Sequence, residues 1–248
     1  MSTIFSPNRS DDLPDDLEIE LGGKYYPIRV RRSAKARSIS LSADAVKGEV
    51  RISLPRHGSI REALHFTQSK SEWLVDRFDE MPTPVPIKHG ASIPFLGKDY
   101  RVSWSADYAR KPVLSDDEIL VGGPKNRISN RILDWMKVQA REKYSEDLSD
   151  YCLAAQREVP KLSIGDARRR WGSCSAQNAI RLNWRLIMAP PMVRRSVVAH
   201  EVAHLSHMNH SKAFYGHLDS IFEGDRKEAD RWLKAHGNGL HLIGAGSN

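Results

Sequence analysis

Val197-Val198-Ala199-His200-Glu201-Val202-Ala203-His204 places two imidazoles four residues apart, with a carboxylic acid directly after the first. On a helix, positions i and i+4 lie one above the other on one face, so both rings can reach a single ion. Neutral imidazole suits zinc, and a carboxylate beside the metal can take a proton from water held there. H-E-x-x-H is the pattern of zinc-dependent hydrolases, so the segment predicts a metallohydrolase, a peptidase before any other kind. Two of its five positions are wildcards, and the same letters occur by chance on ordinary surface helices. The surroundings therefore decide.

Those surroundings read as a largely buried helix. Pro190 and Pro191 suit its start, because proline fixes φ and its missing N–H would have no partner there anyway. Val193, Val197, Val198, Val202 and Leu205 then recur with helical spacing. Within such a helix His200, Glu201 and His204 need partners, since burying an unpaired polar group costs about 2–7 kcal/mol. A metal ion removes that cost.

A catalytic zinc commonly takes three protein ligands and keeps one position open. His207, His210 and His217 could each supply the third. On a continued helix His207 would lie about 10 Å along the axis from His200, too far for bonds of about 2.0–2.1 Å to one ion. The chain must turn back, and Met208-Asn209 is the expected place because Asn tolerates left-handed backbone. His200, His204 and His210 form the expected Zn2+ site, with Ser211 capping the next helix. His207 is expected at the helix end and His217 on the following helix. Asp219 and Glu223 stay open as a downstream acidic ligand in place of the third histidine.

Arg170-Trp171-Gly172-Ser173-Cys174, Asn183-Trp184-Arg185-Leu186, the His200–His204 motif and Asn209-His210-Ser211 follow one another in order. Together they resemble the YgjP-like metallopeptidase family, which is related to the SprT-like and WLM zincins. The likeness runs through most of the chain and is tightest from 161 to 222. It implies a zincin fold, zinc on His200, His204 and His210, and Glu201 as general base. It brings no substrate, since the family is known mostly as metal-dependent hydrolases inferred from sequence. The metzincins share the spacing from His200 to His210 but carry glycine where His207 stands. With no glycine there and no methionine turn downstream, that reading is set aside.

The expected chemistry is hydrolysis by an activated water, with Glu201 accepting its proton and passing it to the leaving amine. Tyr215 is the candidate donor to the tetrahedral oxyanion, with packing inside its helix as the plainer account. Asp219 or Asp225 could orient a ligand histidine through its other nitrogen. Residues 161–166 and 179–187 alternate as strands and read as a hairpin joined by a turn-rich link. Arg170 and Trp171 are placed to contact a substrate lying along that hairpin, although Trp171 could equally pack between hairpin and helix.

The 248 residues, 28% charged and 40% hydrophobic, are ordinary for a globular protein. Two cysteines, Cys152 and Cys174, and a polar start without a signal peptide predict a reduced, cytoplasmic protein. No apolar run approaches the roughly 20 residues needed to cross a bilayer, so no membrane role is expected. Residues 1–18 read as a flexible acidic arm, 19–123 as a β-rich region with one helix, and 124–248 as the metallopeptidase domain. The class is α+β: a zincin-like catalytic domain, its active-site helix packed on a small antiparallel sheet, after a β-rich N-terminal region. Strands are expected at 25–31, 38–42, 49–54, 93–95, 99–105 and 118–121. One helix is expected from Ser59 through Phe78, and a long one over 129–157. Residues 81–86 read as a proline-punctuated connector, and no internal repeat is legible.

Net charge of +7 and a pI near 9.4 raise a second possibility, a nucleic-acid-associated protease of SprT-like character. Arg29-Val30-Arg31-Arg32, Lys35-Ala36-Arg37 and Arg168-Arg169-Arg170 are its basic clusters, but no nucleic-acid motif accompanies them. A third is a non-catalytic zinc module. That reading leaves Glu201 without a purpose, because a structural site favours four protein ligands. Peptide or protein is the expected substrate, and the sequence is silent on oligomeric state.

Overall fold

The computed structural model describes residues 17–44, 47–79 and 83–245, so most of the acidic stretch at 1–18 and part of the connector lie outside it. Backbone contacts divide the chain into two units, meeting at Thr83 and Pro84.

The first unit is a sheet with helices on one face. Its strands are β1 (Glu18–Leu21), β2 (Lys24–Ser33), β3 (Ser40–Asp44) and β4 (Glu49–Pro55), in the order β1-β2-β4-β3. β2 and β4 run parallel in the centre, and each edge strand is antiparallel to its neighbour. Strict alternation puts Val50, Ile52 and Leu54 of β4 on one face. There they meet Ile28, Ala63 and Leu74 in a small core. The helix expected from Ser59 is two helices, α1 (Ile60–Ser69) and α2 (Ser71–Asp79). Ser59 caps α1 by accepting the Glu62 N–H, and Lys70 ends it with φ −110°, outside the helical range.

The second unit begins with a sheet of the same topology. β5 (Ser92–Phe95), β6 (Lys98–Trp104), β7 (Val113–Ser115) and β8 (Glu118–Val121) take the order β5-β6-β8-β7, again with a parallel central pair. The β1–β2 and β5–β6 hairpins turn through Gly22-Gly23 and Leu96-Gly97. Both central φ are positive in each case (57° and 79°; 52° and 79°), as a type I′ turn requires. Ile19 and Ile93, Gly23 and Gly97, Lys24 and Lys98, and Tyr26 and Tyr100 occupy matching places. The chain thus carries a topological repeat that its letters hide, because six of the ten hairpin positions differ.

This second sheet does not group with the N-terminal region, as the expected boundary at 123 and 124 required. Phe95 stacks on Trp135 of α3 (Ile128–Ala154) at 4.7 Å. Ile93, Val102, Ile119 and Val121 share one core with Val193, Val198 and Val202. Burial therefore joins the sheet to the metal helix.

β9 (Lys161–Gly165), β10 (Gly172–Cys174) and β11 (Ala179–Asn183) form a third sheet, ordered β10-β11-β9. The expected hairpin between 161–166 and 179–187 is corrected here: β9 and β11 are parallel, and the antiparallel partner of β11 is β10, the supposed link. The small sheet is accordingly mixed rather than antiparallel. Asn183 ends β11 by accepting the Arg185 N–H, which starts a 3-10 turn over Trp184–Met188. α4 (Pro191–Ala203), α5 (Lys212–Ile221) and α6 (Arg226–Leu240) complete the unit. α4 is tied to α3 by Arg194 and Asp147, both buried and joined at 2.6 and 3.2 Å. Among the described residues no helix is long and apolar enough to cross a membrane.

Candidate metal centre

α4 carries His200 and Glu201 in its last turn and ends at Ala203, earlier than the expected stop near Met208. Leu205 and Ser206 donate to the carbonyls of Val202 and Ala203, which tightens the end and turns the chain back. His210 then returns to the helix face. His200 Nε2 lies 3.2 Å from His204 Nε2 and 3.0 Å from His210 Nε2. One nitrogen from each ring falls within a 4.8 Å set.

These separations fit one cation. Two bonds of about 2.0–2.1 Å at a tetrahedral angle hold their nitrogens about 3.3 Å apart. The His204 Nδ1 faces the His207 carbonyl at 3.0 Å, which fixes the proton there and leaves the Nε2 lone pair free. Burial, with the neighbouring histidines second, depresses His200 to about 4, and burial also lowers His204. Both shifts favour the neutral ring, the form that binds a metal. Phe214, fully buried, packs against all three rings at 4.6 to 5.0 Å between centroids.

Glu201 turns toward β10. It is buried, and burial lifts its carboxyl to about 7, opposed by the Cys174 backbone amide and the charge of Arg170. Its side chain fits because residue 172 is glycine: a Cβ there would overlap Glu201 Oε1 and stand 2.7 Å from Cγ. A glycine inside a strand marks such a close approach, and this one was the signal in the sequence.

Of the other expected residues, Arg170 is exposed and acts on Glu201 through its charge. Trp171 is half-buried, stacks on His241 at 5.1 Å and covers Gly237, so packing accounts for its indole. Tyr215 is exposed rather than in the core of its helix. Its ring lies 6.2 Å from that of His210 and beneath the Arg226 guanidinium. Asp219 accepts from Arg226, and Asp225 caps α6, so neither orients a ligand histidine. Glu223 accepts from Tyr151 and Arg195, away from the three-nitrogen group. His217 pairs with Ser206 at 3.4 Å. The His207 carbonyl, Phe214, Gly172 and the Cys174 amide are the contributors that spacing alone did not reveal.

Residues 37–236 match the profile of the YgjP-like family, metallopeptidase domain. No curated protein sequence matches the chain. Among solved structures, the metallopeptidase zymogen of Pyrococcus abyssi abylysin is 22% identical, with a TM-score of 0.34. That match covers 37% of this chain and 93% of the other. The zymogen of Methanocaldococcus jannaschii jannalysin is 16% identical, at the same TM-score, over 37% of this chain and 94% of its own.

Proposed function

The chain belongs to the YgjP-like metallopeptidase family, and from that premise we propose a zinc-dependent peptidase of zincin type in which Glu201 is the general base. The observation that carries this reading is the convergence of three imidazole nitrogens beside one buried carboxylate. Three donors, rather than four, suit a catalytic site.

Held by His200, His204 and His210, Zn2+ would polarise the scissile carbonyl and acidify water. Glu201 takes the proton of the attacking water and delivers it to the departing amide nitrogen. The Cys174 amide and the space above Gly172 hold the carboxylate in place for both transfers. Tyr215, exposed beside His210, is the candidate donor to the oxyanion. Arg170, exposed and close enough to act on Glu201 through its charge, is the candidate substrate contact, while Trp171 packs against His241 and Gly237. Both cysteines are free, in keeping with a reducing compartment such as the cytoplasm.

The direct test is metal content together with hydrolysis of an unstructured protein, before and after a zinc chelator. One zinc per chain, with activity lost on chelation and restored by zinc, is expected; a metal-free protein that still hydrolyses would end the proposal. Gly172→Ala supplies a second test. Its methyl group displaces the carboxylate by an ångström or so, which should lower kcat by about 10²-fold with zinc retained. An unchanged kcat would remove Gly172 from the account.

A further inference from the structure

We propose that Gly237 and His241, near the end of α6 and just beyond it, are positioning residues for Glu201: they hold the Trp171 indole, and through it the place of Gly172 against the carboxylate. The role in turnover rests on the peptidase reading; the placement of the carboxylate does not.

Trp171 directly precedes Gly172, the first residue of β10. Its indole meets two groups. One is the His241 ring, buried and stacked on it at 5.1 Å and 24°. The other is the bare backbone of α6 at buried Gly237. A Cβ there would stand 2.8 Å from Trp171 Cζ2, against the roughly 3.5–4.0 Å at which packed carbons rest. Gly237 is not among the residues of positive φ, and glycine inside a helix costs stability against alanine. The indole is what needs the space. Gly239 of the same helix is the contrast: a Cβ on it would meet nothing within 4 Å.

His241 rests on a fixed frame. Arg185 Nη1 donates to the carbonyls of Leu240 and Ile243 at 2.7 and 2.9 Å, while its Nε and Nη2 hold Asp166 at 2.8 and 3.2 Å. Val85 bonds twice to the same turn, donating to the Leu242 carbonyl and accepting the Gly244 N–H. The Trp171 backbone is constrained as well, because its carbonyl accepts the Asn183 N–H at 2.8 Å, next to the Gly172–Leu182 pair of β10 and β11. Pushing the indole therefore moves the backbone on which Gly172 sits. Gly172 has no slack toward Glu201, since a Cβ on it would stand 2.7 Å from Cγ.

The three ring nitrogens are held by other contacts. His200 and His204 stand at the end of α4, which Arg194 and Asp147 fix to α3, and His210 returns on the following turn. Displacing β10 thus moves the proton acceptor relative to the metal position without removing a metal ligand. Misplacing a reacting group by about 1 Å can cost about 10²-fold in rate.

The experiment compares Gly237→Ala, Gly239→Ala, His241→Ala and the double variant Gly237→Ala with Trp171→Phe, in the full chain. Zinc content, kcat and KM on an unstructured protein are measured, and crystal structures are solved. Gly237→Ala is expected to lower kcat about tenfold or more, with one zinc per chain and KM unchanged. Gly239→Ala, the same change without a neighbour, should match wild type. Phenylalanine lacks the outer six-membered ring to which Cζ2 belongs, so the double variant should recover most of the loss. A general weakening of α6 would not be rescued in this way. His241→Ala adds no volume, so it tests the proposal even where Gly237→Ala fails to fold; it should lower kcat in the same selective manner. An unchanged kcat in either single variant, zinc lost together with kcat, or a double variant no faster than Gly237→Ala overturns the proposal. The crystal structures do not depend on turnover: Glu201 should shift from the Cys174 amide in Gly237→Ala and return in the double variant. A wild type that hydrolyses nothing while the carboxylate moves as described ends the peptidase reading alone. A carboxylate that stays in place, with an active wild type, ends the positioning role alone.

Discussion

Glu201→Gln is expected to lower kcat by about 10²–10⁴-fold while one zinc per chain is retained. The amide has the shape of the carboxylate and still offers an oxygen to the Cys174 N–H, so the side chain can keep its place against Gly172. What it cannot do is accept the water proton. Stability should change little, because burial already disfavours the charged form of Glu201. His204→Ala is the necessary contrast: it removes a donor from the three-nitrogen group, and both zinc and activity should go. Activity lost in both variants with zinc lost only in the second separates proton transfer from metal binding. A Glu201→Gln enzyme with wild-type kcat would show that another group takes the proton.

The convergence of His200 and His204 was legible in the sequence because i and i+4 on a helix share a face whatever the rest of the fold does. His210 was expected third because no straight helix lets His207 reach the same point, although Asp219 and Glu223 stayed open; its ring nitrogen does lie with those of His200 and His204. The turn itself came earlier than its letters suggested. No glycine marks it, and the end of α4 is set by local tightening at Val202 and Ala203 together with the His204 ring bonding to the His207 carbonyl. Strand direction was not legible. The alternation of 161–166 and 179–187 is the same for parallel and antiparallel pairing, and the short β10 was hidden in a Gly-Ser run that reads as a turn. The unit boundary failed for a related reason: Phe95 and Trp135 lie forty residues apart in sequence, and their stacking leaves no local trace. Gly172 was visible as a letter, but its use depends on Glu201 arriving from another element.

Asp147→Ala is expected to cost about 3–5 kcal/mol, because it strands a buried guanidinium. Arg194 and Asp147 have side chains only 6% and 4% exposed, and their bonds at 2.6 and 3.2 Å join the first turn of α4 to α3. Arg195 also donates to Asp147 at 3.1 Å, but it keeps Asp150 and Glu223 as partners, so Arg194 bears the loss. In a domain of this size each kcal/mol shifts Tm by about 2–4 °C, which predicts a fall of about 6–20 °C. The zinc concentration must be held constant across the series, since a bound ligand raises Tm by itself. The double variant Asp147→Leu with Arg194→Met replaces the pair by apolar side chains and should recover most or all of the stability. A single variant within 1 kcal/mol of wild type would mean that water reaches the pair. The clamp stands six residues before His200, about 9 Å along the helix, so it also fixes how far α4 is turned toward β10. A double variant as stable as wild type, but slower in kcat at full zinc occupancy, would assign the ion pair to the placement of α4 rather than to its stability.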